Sequence, residues 1–196
     1  CGMTRIVGSK VILYYEGDHE KLDAQIRAGI AQIIIDEMMY GGNVRQMVRN
    51  SSVLTLPDWY VKGLIAYVAN DWNSDIDNRV KDAILNGKYE KINNLAGVDA
   101  VYAGNAFWKH IANNYGETVI PNILYMTKVT HNVSSSTSYV LGLSVRDLWN
   151  ECLQTFESKY NEKDTTKILP QSPPFLVKPK ASRVYSQVKV SPDGNY

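Results

Sequence analysis

Histidine, the side chain used most often for metal binding and acid–base chemistry, occurs only three times in this 196-residue sequence. His19 lies in a polar turn, His110 lies in a helical pattern, and His131 precedes a Ser/Thr-rich segment that we expect to be a loop. No two of them stand at a spacing typical of metal ligands. A metal site at His110 and His131 therefore requires the fold to bring them together. Glu37 or Glu117 would then supply a third ligand.

The cysteines and serines of the sequence also form no recognisable catalytic motif. Two cysteines cannot build a disulfide framework. Cys152 lies in an amphipathic helical pattern, so we expect a buried structural thiol. Cys1, followed by Gly2, fits a lipid-modified mature terminus and equally a chain cut from a longer one, and we favour the cut. The sequence contains no phosphate-binding glycine loop and no Gly-x-Ser-x-Gly nucleophile motif.

The most informative pattern runs from Leu56 to Tyr67. It contains Leu-Pro-x-Trp, then Lys62-Gly63, then a tyrosine. It resembles the Leu-Pro-x-Trp-x-x-Glu-Gly-x-Ala-x-Tyr pattern of the peptidase MA-like gluzincins, which are thermolysin- and aminopeptidase-like zinc metallopeptidases. In that family a buried upstream helix carries His-Glu-x-x-His, which supplies two zinc ligands and a general base, and the glutamate of the second helix is the third ligand. Two imidazoles four residues apart share one helix face, so they converge on one ion.

The positions that carry this chemistry are all changed in the present sequence. The best placement of the zinc motif is the segment 28–32, with Ala28 and Gln32 at the histidine positions and Gly29 at the general base. Lys62 stands at the third ligand position. Alanine and glycine offer no donor atom, and an ammonium group repels a dication. The resemblance therefore implies a degenerate zinc motif with no bound metal, no cofactor and no catalytic residue.

Several residues around the motif have a functional and a structural interpretation. Lys62 is either an anion-binding group in an old substrate cleft or, as we favour, a solvent-facing lysine. Trp59, Tyr60 and Tyr67 are candidates for lining that cleft. They also belong to a larger aromatic set, which fits a carbohydrate or peptide platform but is more typical of core packing: Trp59, Tyr60, Tyr67, Trp72, Trp108 and Trp149. Three aspartates near Trp72 lack the spacing of a calcium loop, so we favour a solvated acidic face: Asp71, Asp75 and Asp77.

These positions must be held by a mostly helical framework. Residues 5–15 are rich in β-branched and aromatic side chains, which predicts one or two short strands broken at Gly8. A long helix is predicted from Leu22 to Tyr40, and because its middle is apolar on nearly every face, we expect it to be a buried central helix. Further helices are predicted at 56–68, 75–85, 103–115, 117–127 and 145–160. The expected fold class is α+β, predominantly α-helical, with a short N-terminal β element.

Two later segments extend the resemblance to roughly residues 11–160. Ala103-Gly104-x-x-Phe107-Trp108, followed by Tyr115-Gly116, is similar to a later helix of the gluzincins. Leu143-Ser144-x-x-x-Leu148-Trp149 is similar to the closing helix of that family, with Ser144 as its predicted cap. The resemblance thus implies that residues 1–160 form a degenerate gluzincin-like domain.

The composition changes after residue 160. Residues 161–183 contain four prolines among several lysines and show no periodicity, which is typical of a linker. Residues 184–196 predict a strand followed by the turn Ser191-Pro192-Asp193-Gly194. That turn resembles the recurring turn of Tol-Pal-type β-propeller repeats. We therefore expect the last segment to open an adjoining β-propeller in the full-length protein.

Charge and hydropathy narrow the range of partners. A net charge of +1, from 21 basic and 20 acidic residues, predicts no basic face for nucleic acid. No window approaches the ~18 consecutive apolar residues of a membrane span, so we expect no transmembrane segment. The gluzincin and propeller resemblances together imply a bacterial cell-envelope protein, periplasmic or associated with the outer membrane.

Taken together, the sequence predicts a catalytically inactive metallopeptidase-like domain that acts as a binding or scaffolding module for a protein or peptide partner. The alternative is a metal-dependent peptidase or hydrolase with a relocated, non-standard metal site at the histidines described above. A third possibility is a plain helical interaction domain without gluzincin ancestry.

Overall fold

The computed structural model describes residues 5–7, 10–41 and 55–165. Two three-residue strands, β1 (Arg5–Val7) and β2 (Lys10–Ile12), pair in antiparallel register with Ile6 opposite Val11. The helices are α1 (His19–Tyr40), α2 (Asp58–Ala69), α3 (Ser74–Leu85), α4 (Gly97–Tyr115), α5 (Val119–Thr130), α6 (Val133–Leu141) and α7 (Val145–Thr165), with a short 3-10 turn at Ile92–Asn94. The described chain is predominantly helical, as the periodicity predicts. The short N-terminal β element is also present.

Helix α1 begins at the predicted polar turn but is not buried on every face. Asp18 caps its N-terminus by accepting hydrogen bonds from two backbone N–H groups of the first turn. Ile35 and Met39 face the core, whereas Ile30 and Ile34 are each 52% exposed. The prediction of an entirely buried central helix is therefore wrong for the part of the chain described. An apolar sequence shows which faces can be buried, and the neighbouring elements decide which faces are buried.

Helices α2 and α4 cross at a contact between two glycines. A Cβ atom built on Gly63 would lie 2.4 Å from the Cα of Gly104. A Cβ atom on Gly104 would lie 1.9 Å from the carbonyl oxygen of Trp59. Since neither glycine has a side chain, the two backbones touch directly. This crossing fixes the distance between α2 and α4, which hold four of the eight buried aromatic residues of the described chain.

Two buried tryptophans anchor the core through their indole groups. Trp108 donates from Nε1 to the backbone carbonyl of Tyr60 at 2.9 Å, and Trp149 donates to the carbonyl of Tyr89 at 2.8 Å. Both rings are at most 2% exposed. Phe107 packs edge-on against Trp108 and lies within 6.4 Å of Trp149 between ring centroids. The indole N–H groups are thus satisfied without water, as buried tryptophan requires.

The Ser/Thr-rich segment after His131 is a helix, α6, and not the predicted loop. Asn132 caps it by accepting from the backbone N–H of Ser135 at 2.8 Å. Ser136 and Thr137 are fully buried, and each hydroxyl donates to a backbone carbonyl three residues earlier. Serine and threonine favour loops because their hydroxyls compete for backbone hydrogen bonds. Here those bonds are made inside the helix, and burial against the core outweighs the low propensity.

The last helix is capped as predicted and ends later than predicted. Ser144 Oγ accepts from the backbone N–H of Asp147 and donates to its carboxylate at 2.7 Å. Helix α7 continues to Thr165, so the first residues of the expected linker belong to this helix. The remainder of the linker and the expected propeller strand at 184–196 lie outside the described residues.

Candidate functional site

Gly29 stands at the general-base position of the motif that the sequence resembles, and in the structure it makes a packing contact. Gly29 is buried in α1, directly under β2. A Cβ atom at this position would lie 2.6 Å from a methyl carbon of Val11. Real Cβ atoms do not approach another carbon this closely, so a glutamate here would have to displace the Val11 side chain. The position that the gluzincin resemblance assigns to the general base is therefore occupied by the contact between β2 and α1.

The two polar motif positions are engaged within their own helices. Gln32 donates to the carboxylate of Asp36 at 2.8 Å, one turn further along α1. Lys62 forms an ion pair with Asp58 at 2.8 Å on α2, and its side chain is 56% exposed. Both are i,i+4 pairs of the kind that stabilise helix surfaces. This agrees with the solvent-facing interpretation of Lys62.

The candidate cleft residues separate into buried and exposed positions. Tyr60 is fully buried, and its hydroxyl shares a hydrogen bond of 2.8 Å with Thr127 Oγ1. Burial strongly raises the pKa of this hydroxyl, so it stays neutral. Trp59 is 1% exposed and donates from its indole to Asn93. Both residues pack in the core, which is the interpretation that the sequence favours for the aromatic set, although Trp59 also borders a hollow beside His131.

Tyr67 does line a groove, at the C-terminal end of α2. The groove has a volume of about 530 Å³ and is bounded by α2, α4, the loop after α2 and the start of α5. Its lining includes Tyr67, Asn70, Asp71, Trp72, Asn105, Lys109, Glu117, Ile120 and Pro121. A second hollow of about 280 Å³ shares Asn70 and Asn105 with it and adds Asp75 and Tyr102. We call the two together the α2–α4 groove.

Asn105 lies on the floor of the α2–α4 groove, where its two hollows meet. Tyr102, Asn105 and Lys109 are spaced three and four residues apart, so they form one stripe along α4. Asn105 is only 3% exposed, and no side-chain hydrogen bond joins its carboxamide to another described residue. Sequence analysis missed this residue. The signal was a lone asparagine inside the otherwise apolar run from Ala100 to Phe107.

Charged groups surround the floor. The Tyr67 hydroxyl donates to Glu117 at 3.2 Å. Burial and the nearby Glu117 carboxylate together raise the pKa of that tyrosine above its ordinary value. Asp71 lies 3.8 Å from Arg27 of α1, which places the first half of α1 beside the loop after α2. The ammonium group of Lys109 lies 5.2 Å from the ring centroid of Trp72.

A second polar cluster lies on the opposite side of α4, around His110. Its imidazole is 3.8 Å from Glu151, which also accepts a hydrogen bond from Tyr115 at 2.8 Å. Asn114 lies 3.0 Å from the imidazole Nδ1. Burial lowers the pKa of His110 below its ordinary value, and the Glu151 carboxylate offsets part of this shift. His110 is therefore a neutral, hydrogen-bonded core histidine at neutral pH.

This burial predicts a pH-dependent loss of stability. Because the folded chain holds His110 neutral, only the unfolded chain gains a proton as the pH falls through its ordinary pKa of about 6.5. The free energy of unfolding contributed by this residue should be fully present above pH 6.5 and decline below it. Urea unfolding between pH 8 and pH 5 should show the decline, and the His110→Gln variant should lack it. An equal decline in that variant would assign the effect to other groups.

The residues of a relocated metal site are not brought together. His110 lies in the cluster with Glu151, whereas His131 lies at the C-terminus of α5 beside Trp59, and Glu117 is held at the groove by Tyr67. Across residues 10–41 and 55–161, no group of three or more His, Cys, Asp or Glu side chains is placed to hold a metal ion. Cys152 is a buried free thiol, as predicted, and Cys1 lies outside the described residues.

Among the helices that the structure describes, none combines the length and the apolar character that a membrane crossing requires. No protein-family model matches this sequence, and neither a curated protein nor a solved structure compared with it matches.

Proposed function

We propose that this chain is a catalytically inactive, gluzincin-like helical module that binds a protein or peptide partner. The observation that carries the proposal is the environment of Gly29, where a contact with Val11 occupies the space a general base would need. The neighbouring motif positions, Gln32 and Lys62, are paired with carboxylates of their own helices. A fold can keep its packing after its chemistry is lost, because function resides in sites and not in folds.

The wider setting of the module is proposed from the sequence. The turn at 191–194 resembles that of a Tol-Pal-type propeller, so we place the module next to a β-propeller in a bacterial cell-envelope protein. Binding is favoured over a purely structural role because the α2–α4 groove is open and large enough for several residues of a partner. A scaffolding role would use this same surface.

Metal content is the first test. After dialysis against a trace of zinc, we expect far less than one zinc per chain, because Ala28, Gly29 and Lys62 offer no ligand. Elemental mass spectrometry of the purified chain measures this ratio, with a zinc-loaded gluzincin dialysed in parallel as the control. A ratio near one would overturn the proposal and favour a zinc hydrolase. His110→Ala and His131→Ala variants would then locate its ligands.

A further inference from the structure

The carboxamide of Asn105 is the group in the α2–α4 groove that most clearly lacks a partner. Among the described residues, the fully enclosed polar side-chain atoms without a partner are Gln25 Oε1 and the Tyr89 hydroxyl, so the Asn105 carboxamide is not sealed off and stays open to the groove. Asn105 is 3% exposed and lines both hollows, so its polar atoms are reached from the groove alone. A carboxamide presents one acceptor and one donor side by side. The backbone of an extended peptide presents the complementary pair.

The aromatic residues of the groove are largely engaged with protein groups. Phe156 stacks on Trp72 at 5.5 Å between centroids, and the Lys109 ammonium lies 5.2 Å from the same ring. The guanidinium of Arg79 lies 4.8 Å from the centroid of Tyr102. A sugar-binding platform needs open aromatic faces, so these contacts favour a ligand that is recognised by hydrogen bonds and charge.

The charge of the lining selects among peptides. Three carboxylates, those of Asp71, Asp75 and Glu117, face a single ammonium group, that of Lys109. Arg27 reaches Asp71 at 3.8 Å, whereas Asp75 and Glu117 form no ion pair within the described part of the chain. A cleft lined by an excess of one sign attracts the opposite sign. The lining therefore favours a cationic side chain on the ligand.

We propose that the α2–α4 groove binds an extended peptide segment carrying a lysine or arginine, whose backbone pairs with the Asn105 carboxamide while its cation lies near Glu117. The proposal rests on the proposed function and makes it specific. Asn105 and Glu117 lie apart from the degenerate zinc motif, since none of Ala28, Gly29, Gln32 or Lys62 lines the groove.

Nuclear magnetic resonance titration of the ¹⁵N-labelled chain tests the proposal. The probes are the blocked pentapeptides Ac-Ala-Ala-Lys-Ala-Ala-NH2 and Ac-Ala-Ala-Glu-Ala-Ala-NH2, with chitotriose as a sugar. We expect the lysine peptide to shift the side-chain NH2 signal of Asn105 and the amide signals of Asn70, Lys109 and Glu117. The glutamate peptide should bind about tenfold more weakly, or not measurably.

Two variants and one control separate recognition from folding. Asn105→Leu keeps the size of the side chain and removes both hydrogen bonds, so the lysine peptide should bind about tenfold more weakly. Asn113→Leu makes the same change on an exposed position of α4 and should bind as the parent chain does. Glu117→Gln, also exposed, should reduce the preference for lysine over glutamate even if the buried variant fails to fold.

The proposal is overturned if the lysine peptide shifts signals elsewhere, or if the glutamate peptide or chitotriose binds the groove more tightly. It is equally overturned if none of the probes binds at millimolar concentration. None of these outcomes changes the zinc content expected of the chain, which is the test of the proposed function. A failure of this inference is thus distinguishable from a failure of the proposed function.

Discussion

Gly104→Ala should lower the free energy of unfolding by about 3 kcal/mol or more, the upper part of the range for overpacked cores. The added methyl would lie 1.9 Å from the carbonyl oxygen of Trp59, and a backbone atom cannot rotate away as a side chain does. Alanine in a helix gains about 1 kcal/mol over glycine, so the clash must exceed that gain. Urea unfolding monitored by circular dichroism measures the difference.

Gly142→Ala is the matched control for this substitution. Gly142 ends α6 with a φ of 76° and has nothing within 4 Å of a built Cβ atom. Gly142→Ala should lower the free energy of unfolding by about 1–2 kcal/mol, which is the cost of holding an alanine in the left-handed backbone region without any clash. If Gly104→Ala were as stable as the parent chain, α2 and α4 would not touch at their backbones.

Asp77→Ala should cost about 3 kcal/mol, because several donors lose their acceptor at once. Asp77 accepts from the indole of Trp72 at 2.8 Å, from the Lys159 ammonium at 2.8 Å and from the Tyr160 hydroxyl at 3.2 Å. These bonds join α3 to α7 and to the loop before α3. Chemical unfolding of the variant measures the loss, and Asp75→Ala, on the same first turn, should cost much less.

The same carboxylate predicts a dependence on pH. Partial burial acts to raise the pKa of Asp77, but the hydrogen bonds and charge of its partners outweigh burial and hold that pKa below its ordinary value of 3.8. The folded chain thus favours the ionised form, so this stability is present above about pH 3.8 and is lost as the pH falls through the lower, folded pKa. The difference between the parent chain and Asp77→Asn should therefore shrink from pH 5 to pH 2. A stability difference that stayed constant between pH 5 and pH 2 would contradict the conclusion that Asp77 acts as an ionised carboxylate.

Local periodicity was sufficient to predict most of the helices, because burial of one face leaves a regular pattern. The helix beginning near Pro57, the end of α1 at Gly41 and the Ser144 cap all follow from such signals. The β element before α1 was equally visible from its β-branched residues. Periodicity does not show which neighbours an apolar face has. It therefore predicts that Ile30 and Ile34 are buried, whereas the structure leaves both exposed.

The candidate site was harder to predict, since it depends on contacts between distant residues. The resemblance places Gly29 and Lys62 at positions that carry catalysis in the gluzincins, but only the fold shows that Val11 packs against Gly29. Asn105 belongs to no recognisable motif. Only the fold shows that its carboxamide lines the groove without a hydrogen bond to another described residue. The helix α6 was missed for a similar reason, because the hydroxyls of Ser136 and Thr137 find their acceptors only once the helix is packed.

The glycine crossing of α2 and α4 bears on the entropy cost of the binding that we propose for the groove. Since the two backbones touch, the floor and one wall of the groove move as a single rigid body. A ligand entering there immobilises few additional degrees of freedom, so little conformational entropy is lost on association. Amide hydrogens around the crossing should then exchange with solvent only through global unfolding. Any widening of the groove would have to come from its other wall, where α5 begins at Val119.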